Sequence, residues 1–404
     1  YEWRLDDQVI STQPACTLTL SAAGDHDLLL SVENEDGRSS EQLTLRVVSR
    51  LDGEIHMADE YNVPLGRTLL LDATLWHYAA PSYLWQCGAE QSTDPVFRFT
   101  PSTEGEYSIM LTITDSDGYS LTRTLNVVCT PTEGTFRREV SAESRATATK
   151  VYEYRPAAGQ FINEPQSGFA GEQTADAAVA YAQKRLEGEK YVSLGGWGGY
   201  VVVGFDHSVV NSGDYDFSIA GNMHEGSSEA GIVWVMQDAN GNGKPDDTWY
   251  ELKGSETGKE ETIQNYSVTY FRPTEADAAV KWEDSLGEKG EISRVPSHKQ
   301  DSYYPAWIKE DSYTLSGTRL KARNYDKSGN GTMWINPSYD WGYADNNSPI
   351  DQLTDEENTE AKAVPNHFRI SDAIDSKGKA VELKYIDFIK VQTGVNAQSG
   401  WLGE

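Results

Sequence analysis

An internal duplication near the N-terminus limits what this chain can fold into more than any other feature. Tyr1-Glu-Trp3 recurs as Tyr83-Leu-Trp85, and Gly24-Asp-His26-Asp-Leu28-Leu-Leu30-Ser-Val32 recurs as Gly105-Glu-Tyr107-Ser-Ile109-Met-Leu111-Thr-Ile113. The tryptophan and the glycine lie 21 residues apart in the first copy and 20 in the second. An acidic turn follows in each, Asn34-Glu-Asp36-Gly37 and Asp115-Ser-Asp117-Gly118, and then an alternating run, Leu43 to Val48 and Leu121 to Val128. Period-two alternation puts every second side chain on one face, so each copy is expected to form an antiparallel hairpin with one buried face. A Trp on the preceding strand can plug the core between two sheets.

These residues resemble the PKD domain, an immunoglobulin-like β-sandwich of extracellular proteins. The shared pattern is Tyr-x-Trp, then Gly-x-Tyr, alternating apolar residues and Asp-x-x-Gly; His26 stands in place of Tyr and Asn34 in place of Asp in the first copy. The stretch before Tyr83 has room for two further strands, Tyr61 to Leu65 and Thr68 to Ala73, whereas nothing precedes Tyr1. The first module is then either a half-sandwich with an exposed edge, a liability for a sheet, or the C-terminal part of a module that continues upstream, and the second is the expectation. The resemblance implies modules over 1–49 and 50–130, acting as spacers, with a third domain over 131–404.

That third domain differs in composition. Thr130-Pro-Thr-Glu-Gly134 and the polar run to Thr149 read as a linker or first edge strand, and Val151 to Phe161 as strand-like. Gln173 to Gly188 is the one clear helix, with Thr174 as its cap, Ala178, Ala182 and Leu186 as its apolar stripe, Lys184 and Arg185 in the last turn, and Gly188 as its stop. Short strands follow at Val201 to Phe205, Asp216 to Ala220, Ile232 to Met236, Trp249 to Leu252, Tyr266 to Phe271, Ser312 to Leu315, Arg319 to Ala322, Met333 to Ile335 and Ile386 to Gln392. Many short strands punctuated by Gly, Asn and Asp indicate one large, jelly-roll-like antiparallel β-sandwich. The whole chain is therefore expected to be all-β: two Ig-like, PKD-type sandwiches followed by a larger one with a single short helix.

Composition narrows the partners. A formal net charge of -29 repels nucleic acid and anionic lipid, leaving divalent cations, neutral glycans, other small ligands and basic protein patches. No run of about 18 apolar residues is present to span a membrane. Cys16, Cys87 and Cys129 are an odd number, which argues against a disulfide framework, although a Cys87 to Cys129 bridge stays open.

The most informative stretch of the third domain is Asp238-Ala-Asn240-Gly-Asn242-Gly243-Lys-Pro-Asp246-Asp247, between two strands. Calcium is a hard cation that takes about six to eight oxygens, and alternate oxygen-bearing side chains with Gly at the sixth position let a loop coil around it. Position twelve is Trp249 rather than a bidentate Glu, so the last carboxylate is expected from Asp246 or Asp247, or from Glu251 beyond. The candidate ligands are Asp238, Asn240, Asn242, Asp246 and Asp247, in a structural role; a metal-free Asn/Gly turn is the alternative. Asp326-Lys-Ser328-Gly-Asn330-Gly331 repeats the theme but lacks a carboxylate until Asp340, so it reads as a hairpin turn or a second metal site.

From Trp334 to Asn347, aromatics alternate with Asp and Asn in a stretch too broken for a strand. Such a loop can stack on a flat ligand while its polar groups hold the rim; the alternative is that the aromatics fill a core. The candidate ligand-binding residues are Trp307, Tyr339, Trp341, Tyr343, Asp345 and Asn346, with Tyr303 and Tyr304 nearby. No catalytic residues are assigned. Asp206-His207 lacks a nucleophile in a sharp-turn setting, and His207, His224, His298 and His367 show no metal-ligand spacing. Gly195-Gly-Trp197-Gly-Gly199 precedes a strand rather than a helix, so it is no phosphate loop; its glycines are expected to let backbone pack around Trp197.

With GGYVVVGFDHSVVN, the calcium-type turn and the closing YIDFIKVQTGVNAQSGWLGE, the PKD-like chain resembles a group of Bacteroidetes cell-surface lipoproteins. The likeness implies a non-catalytic binding protein on the outer membrane, anchored by a lipidated cysteine upstream of Tyr1. It also implies work beside a TonB-dependent transporter in the capture of a glycan or a corrinoid such as vitamin B12. The competing expectation is a secreted glycan-cleaving enzyme with PKD spacers.

Overall fold

The computed structural model describes residues 1–20, 22–35, 37–47, 52–353 and 364–400. Asp36, Val48, the acidic run Asp355-Glu-Glu357 and the boundary between 49 and 50 lie outside the described residues. Contacts divide the chain into two compact units, Tyr1–Glu54 with His77–Ala79, and Ile55–Trp76 with Ala80–Glu404.

In the first unit, β1 (Glu2–Leu5), β2 (Gln8–Ser11), β3 (Gly24–Asn34) and β4 (Gly37–Val47) form an antiparallel sheet in the order β2-β1-β3-β4. The expected hairpin is β3–β4, in register from Gly24 opposite Val47 to Asn34 opposite Gly37. Trp3 is half-buried, and its indole N–H donates to the Gln13 carbonyl at 3.0 Å.

Strand β5 (Glu54–His56) leads into the second copy. There β6 (Glu60–Pro64), β9 (Ser82–Cys87), β10 (Glu90–Ser92), β12 (Gly105–Thr114) and β13 (Ser120–Thr130) form a sheet in the order β10-β9-β12-β13-β6. Strand β7 (Leu69–Leu71) pairs with β11 (Phe97–Phe99), and β8 (Thr74–Trp76) with β5. Trp85 on β9 is fully buried; it stacks on Phe97 of the small sheet at 5.7 Å and donates to the Asp94 carbonyl at 3.1 Å. This is the plug between layers that the repeat implies. The open Cys87–Cys129 pairing does not form, and all three thiols are free. Cys87 lies on β9 and Cys129 opposite Gly105 at the far end of β13, with β12 between them, too far apart for a disulfide.

The remainder of the second unit, residues 131–404, is also nearly all β. Helix α1 (Ala175–Glu187) is capped by the Thr174 hydroxyl, which accepts from the Ala177 N–H at 3.2 Å, and Gly188 ends it. Its buried face is Ala178 and Ala182, small enough for the helix to lie close to the sheet. Seven strands follow β14 (Lys150–Arg155): β15 (Tyr200–Val210), β16 (Phe217–Ile219), β17 (Gly231–Met236), β18 (Tyr250–Leu252), β19 (Ile263–Phe271), β20 (Val280–Asp284) and β21 (Lys289–Ile292). The last six are β22 (Ser312–Arg319), β23 (Tyr325–Asp326), β24 (Trp334–Ile335), β25 (Asn366–Phe368), β26 (Ala373–Ile374) and β27 (Tyr385–Thr393). A six-stranded sheet, β14-β15-β27-β17-β18-β26, and a four-stranded one, β21-β20-β19-β22, are the principal layers.

One core joins Val151 and Val201 of the larger sheet to Tyr266, Val268, Tyr270 and Leu315 of the smaller and to α1; another gathers Val233, Val235, Leu252, Ile386 and Ile389. Trp197 is buried in the first core, edge-on to Tyr266 at 4.6 Å. The glycines around it serve close approach as expected, since a Cβ on Gly195 would fall 2.2 Å from the Ala157 carbonyl oxygen. The segment after Thr130 is not a strand: it runs along the sheet, where Arg138 donates to the Asp387 carboxylate at 2.9 Å and Glu133 accepts from Gln237 at 2.7 Å.

Candidate functional site

The calcium-type turn joins β17 to β18, and its polar groups divide into two sets. Asn240 and Asn242 spend their amide N–H groups on Asp246, at 2.8 to 3.2 Å, and their oxygens accept from the backbone of Asn242 and Lys244. Asp238 and Asp247 point inward. One oxygen of each is satisfied, Asp238 Oδ2 by the Gly243 N–H and Asp247 Oδ2 by the Ala239 N–H, both at 2.9 Å. The other oxygen of each is buried without a hydrogen-bond partner, although the residues are only 2% and 9% exposed.

Two desolvated carboxylates with orphan oxygens in one turn are costly unless a cation or a proton joins them. Burial pushes Asp247 up to about 8 and also raises Asp238, against the opposing Gly243 hydrogen bond. The donor set, two carboxylates with asparagine oxygens close by, fits a hard cation such as calcium. Among the described residues no group of three or more His, Cys, Asp or Glu is placed to hold a metal, so Asn240, Asn242 or backbone oxygens would have to complete the shell.

The turn is anchored from two sides. The Asp238 N–H donates to Asp387 at 2.8 Å. Asn62 on β6 donates to the Asp246 carbonyl at 3.1 Å and accepts, through its own carbonyl, from the Thr248 hydroxyl at 2.9 Å. The second acidic turn is different in kind. Asp326 is hydrogen-bonded through both oxygens, to Ser328 and to the Gly331 N–H, and these bonds hold its carboxyl below the usual range. It closes the β23–β24 hairpin without an orphan oxygen.

The six expected ligand-binding residues do not share a surface. Trp307 packs in the core against Tyr154, 5.6 Å away, with Tyr303 and Tyr304 buried beside it. Tyr339 and Tyr343 are buried edge to face at 5.4 Å. Asp345 accepts from the Asn222 N–H at 2.8 Å, and burial pushes it up to about 6. Asn346 is fully buried; its side chain accepts from the Tyr339 N–H at 2.8 Å and donates to the Tyr339 carbonyl at 2.9 Å. Trp307 belongs to that separate core, and Tyr339, Tyr343, Asp345 and Asn346 build and brace the loop instead of presenting it, their polar groups finding partners inside the protein.

Trp341 lines a cleft of about 350 Å³ that also holds Tyr215, Ile350, His367, Arg369 and Asp372. Its backbone is fixed on both sides. The Trp341 carbonyl accepts from the Ser255 N–H at 3.0 Å, and the Gly342 N–H donates to buried Asp351 at 2.8 Å. Asn366 ties Asp351 to the Asn346 carbonyl, at 2.8 Å each. Across the cleft, Arg369 lies over the Tyr215 ring at 4.2 Å, and His367 meets that ring edge-on at 5.9 Å. Both carboxylates of the cleft are engaged, Asp351 by these bonds and Asp372 by Lys253 at 3.2 Å.

A second cleft, of about 540 Å³, opens on the other principal sheet face and was not foreseen from sequence. Glu153, Arg155, Tyr200, Trp249, Ser316 and Lys390 line it, with Met57 and Ala58 at its rim. The one available signal was a lysine inside a strand that is apolar apart from Asp387, Tyr385-Ile-Asp387-Phe-Ile-Lys390-Val.

No protein-family model matches the chain, and no curated protein matches it. Among solved structures, tandem immunoglobulin domains A164-A165 of titin share 13% identity over 32% of this chain and 80% of that one, at a TM-score of 0.17. A carbohydrate-binding module of the β-sandwich superfamily shares 10% identity over 67% of this chain and 91% of that one, at 0.17. A quinonprotein alcohol dehydrogenase-like protein from Bacteroides thetaiotaomicron shares 10% identity over 61% of each chain, also at 0.17. Scores of this size carry no argument about function, which rests on the chain's own geometry.

Proposed function

We propose that the third domain is a non-catalytic binding module whose cleft at Trp341 captures a glycan, with calcium in the 238–247 turn as a structural clamp. The observation that carries this reading is the meeting of Trp341, Tyr215, His367 and Arg369 on one cleft, on a loop braced from behind by Asn346, Asp351 and Asn366. Flat rings offer faces to the C–H side of a sugar, while guanidinium and imidazole donors suit its hydroxyls. Pre-organisation favours binding, because little ordering entropy remains to be lost. The engaged state of both cleft carboxylates supports binding over hydrolysis, which requires a carboxyl pair free to act on the glycosidic bond.

Bound calcium would supply positive charge to the buried oxygens of Asp238 and Asp247. Asn62 and Asp387 keep the turn in place on either side. The same reading puts the protein on the outer face of the outer membrane, held by a lipid upstream and working beside a TonB-dependent transporter; surface labelling of intact cells tests that placement. No described helix is long and apolar enough to cross a membrane.

Calorimetry against a panel of neutral glycans, with cobalamin as the corrinoid arm, tests the ligand. Trp341→Ala is expected to weaken glycan binding at least about tenfold, the loss of one stacked ring. A corrinoid that binds where no glycan does would replace the ligand class. No binding in any arm, or unaltered affinity in the variant, refutes the cleft, and sugar products from the same panel refute the non-catalytic reading.

A further inference from the structure

The second cleft carries a function that the Trp341 cleft does not explain. Glu153, Val202 and Lys390 of its lining belong to one row across the six-stranded sheet. Glu153 on β14 stands opposite Val202 on β15, Val202 opposite Lys390 on β27, Lys390 opposite Trp234 on β17, and Trp234 opposite Glu251 on β18. Cross-strand partners share a face, so the Lys390 side chain rises between carboxylates two strands away on either side. Its ammonium lies 4.6 Å from the Trp234 ring, 5.1 Å from Trp249 and 5.7 Å from Tyr200.

Neither Lys390 nor Arg155 has a hydrogen-bond or ion-pair partner among the described residues, although both line the cleft and are half-buried. Glu153 is occupied, accepting from the Tyr200 hydroxyl at 2.7 Å, and Glu251 accepts from Thr318 at 2.5 Å. Two cations that the fold leaves without acceptors therefore face the same space. Removing a lysine from bulk water without supplying an acceptor is costly, and the rings recover only part of that cost through cation–π attraction. The missing group is an anion. Ser316, Thr314 and the aromatic edges around the cations suit a hydroxylated ring better than a bare ion.

We infer that this cleft binds an acidic saccharide, its carboxylate held by Lys390 and Arg155 and its ring set against Trp249. The site lies apart from the Trp341 cleft, with which it shares no lining residue. A planar carboxylate matches the guanidinium fork of Arg155 and leaves an oxygen for Lys390. The chain's overall charge of -29 repels anions at long range, so recognition here depends on short-range contacts and is expected to strengthen with added salt or remain nearly level.

Titration calorimetry with galacturonate oligomers tests the assignment, alongside a neutral oligosaccharide of equal length and a heparin-derived sulfated one. The galacturonate oligomer is expected to bind and the neutral one not to compete for the site. Lys390→Met, which keeps the stem's bulk, and Arg155→Gln should each weaken galacturonate binding roughly tenfold or more, the loss of a charge-assisted contact. Circular dichroism and melting temperature verify that each variant is folded, and either variant alone suffices if the other fails to fold. Binding of the sulfated but not the carboxylated oligomer overturns the carboxylate assignment. Equal affinity for neutral and acidic oligomers, or affinity untouched in a folded variant, overturns the site.

Discussion

Calcium removal gives the most direct test of the turn between β17 and β18. A cation that binds only the folded chain stabilises it by RT ln(1 + [L]/Kd), and loops of extracellular modules have Kd values on the order of 10⁻⁴ M. At about 10 mM calcium the ratio is ~100 and the stabilisation is ~2.7 kcal/mol. The compact unit that holds the turn is Ile55–Trp76 with Ala80–Glu404, roughly 350 residues. With an unfolding entropy of ~2.1 cal/mol/K per residue, 2.7 kcal/mol corresponds to a rise in Tm of about 4 °C. Scanning calorimetry in calcium and in chelator measures the difference. Asp247→Asn should abolish it while leaving the chelator Tm nearly unaltered, because at neutral pH the metal-free Asp247, pushed up to about 8 by burial, is already mostly protonated. The sign of the pH dependence follows. The raised carboxyl holds a proton in the folded chain that the unfolded chain has lost, so the contribution of Asp247 to metal-free stability is full below about pH 4 and is lost as pH rises from there through about 8, by at most ~1.4 kcal/mol per unit. Calcium should flatten that decline. An equal Tm in calcium and chelator, or a calcium shift that survives in Asp247→Asn, refutes the reasoning.

Three further outcomes test other parts of the structure. Trp85→Ala removes the fully buried ring that stacks on Phe97 and should cost about 3–5 kcal/mol in denaturant titrations. Asn346→Ala leaves the buried N–H and carbonyl of Tyr339 without their partners, a loss of about 1–3 kcal/mol, and should weaken ligand binding at the Trp341 cleft although Asn346 does not line it. Affinity for acidic saccharide should fall as pH rises from 7 to 9, because burial draws Lys390 down to about 8 while Glu153 and Glu251 push it back up. Glu251, raised to about 7 by burial, adds to the trend by gaining charge over the lower part of that range, and a flat profile would contradict the role given to Lys390.

Period-two patterning located most strands of residues 131–404 because a sheet with one apolar face repeats that pattern along each strand. It failed at Ser312 to Ala322, where the first expected strand runs on to Arg319 as β22 and the second, Arg319 to Ala322, does not form. Gly317 within β22 is a place of close approach, where a Cβ would meet the Gln392 side chain at 2.2 Å. The aromatic loop shows a different limit. Tyr339, Trp341 and Tyr343 are equivalent by spacing, and what separates them is side chain to backbone bonding inside the loop region, Asn346 to Tyr339 and Asp351 to Gly342, which apolar patterning does not encode. The calcium-type turn was legible because its oxygens are local in sequence. The Lys390 cleft was not, since its row draws on five strands spread from Glu153 to Lys390.

Strand β27 places the turn and the second cleft in one frame. Phe388, Lys390 and Gln392 share one face of the strand, and Asp387 projects from the other. Asp387 accepts from the Asp238 N–H at the turn's first position, while Lys390 is three residues along the same backbone. The hairpin that carries the turn supplies the rest of the lysine's surroundings, Trp234 before it and Trp249 and Glu251 after it. A cation that fixes the turn therefore restrains the hairpin arms that enclose Lys390. Any free-energy coupling between cation and saccharide must be reciprocal, so the factor by which calcium tightens saccharide binding equals the factor by which saccharide tightens calcium binding. A factor different from one, found in either direction, distinguishes such coupling from a general gain in stability, which would raise Tm without altering either affinity.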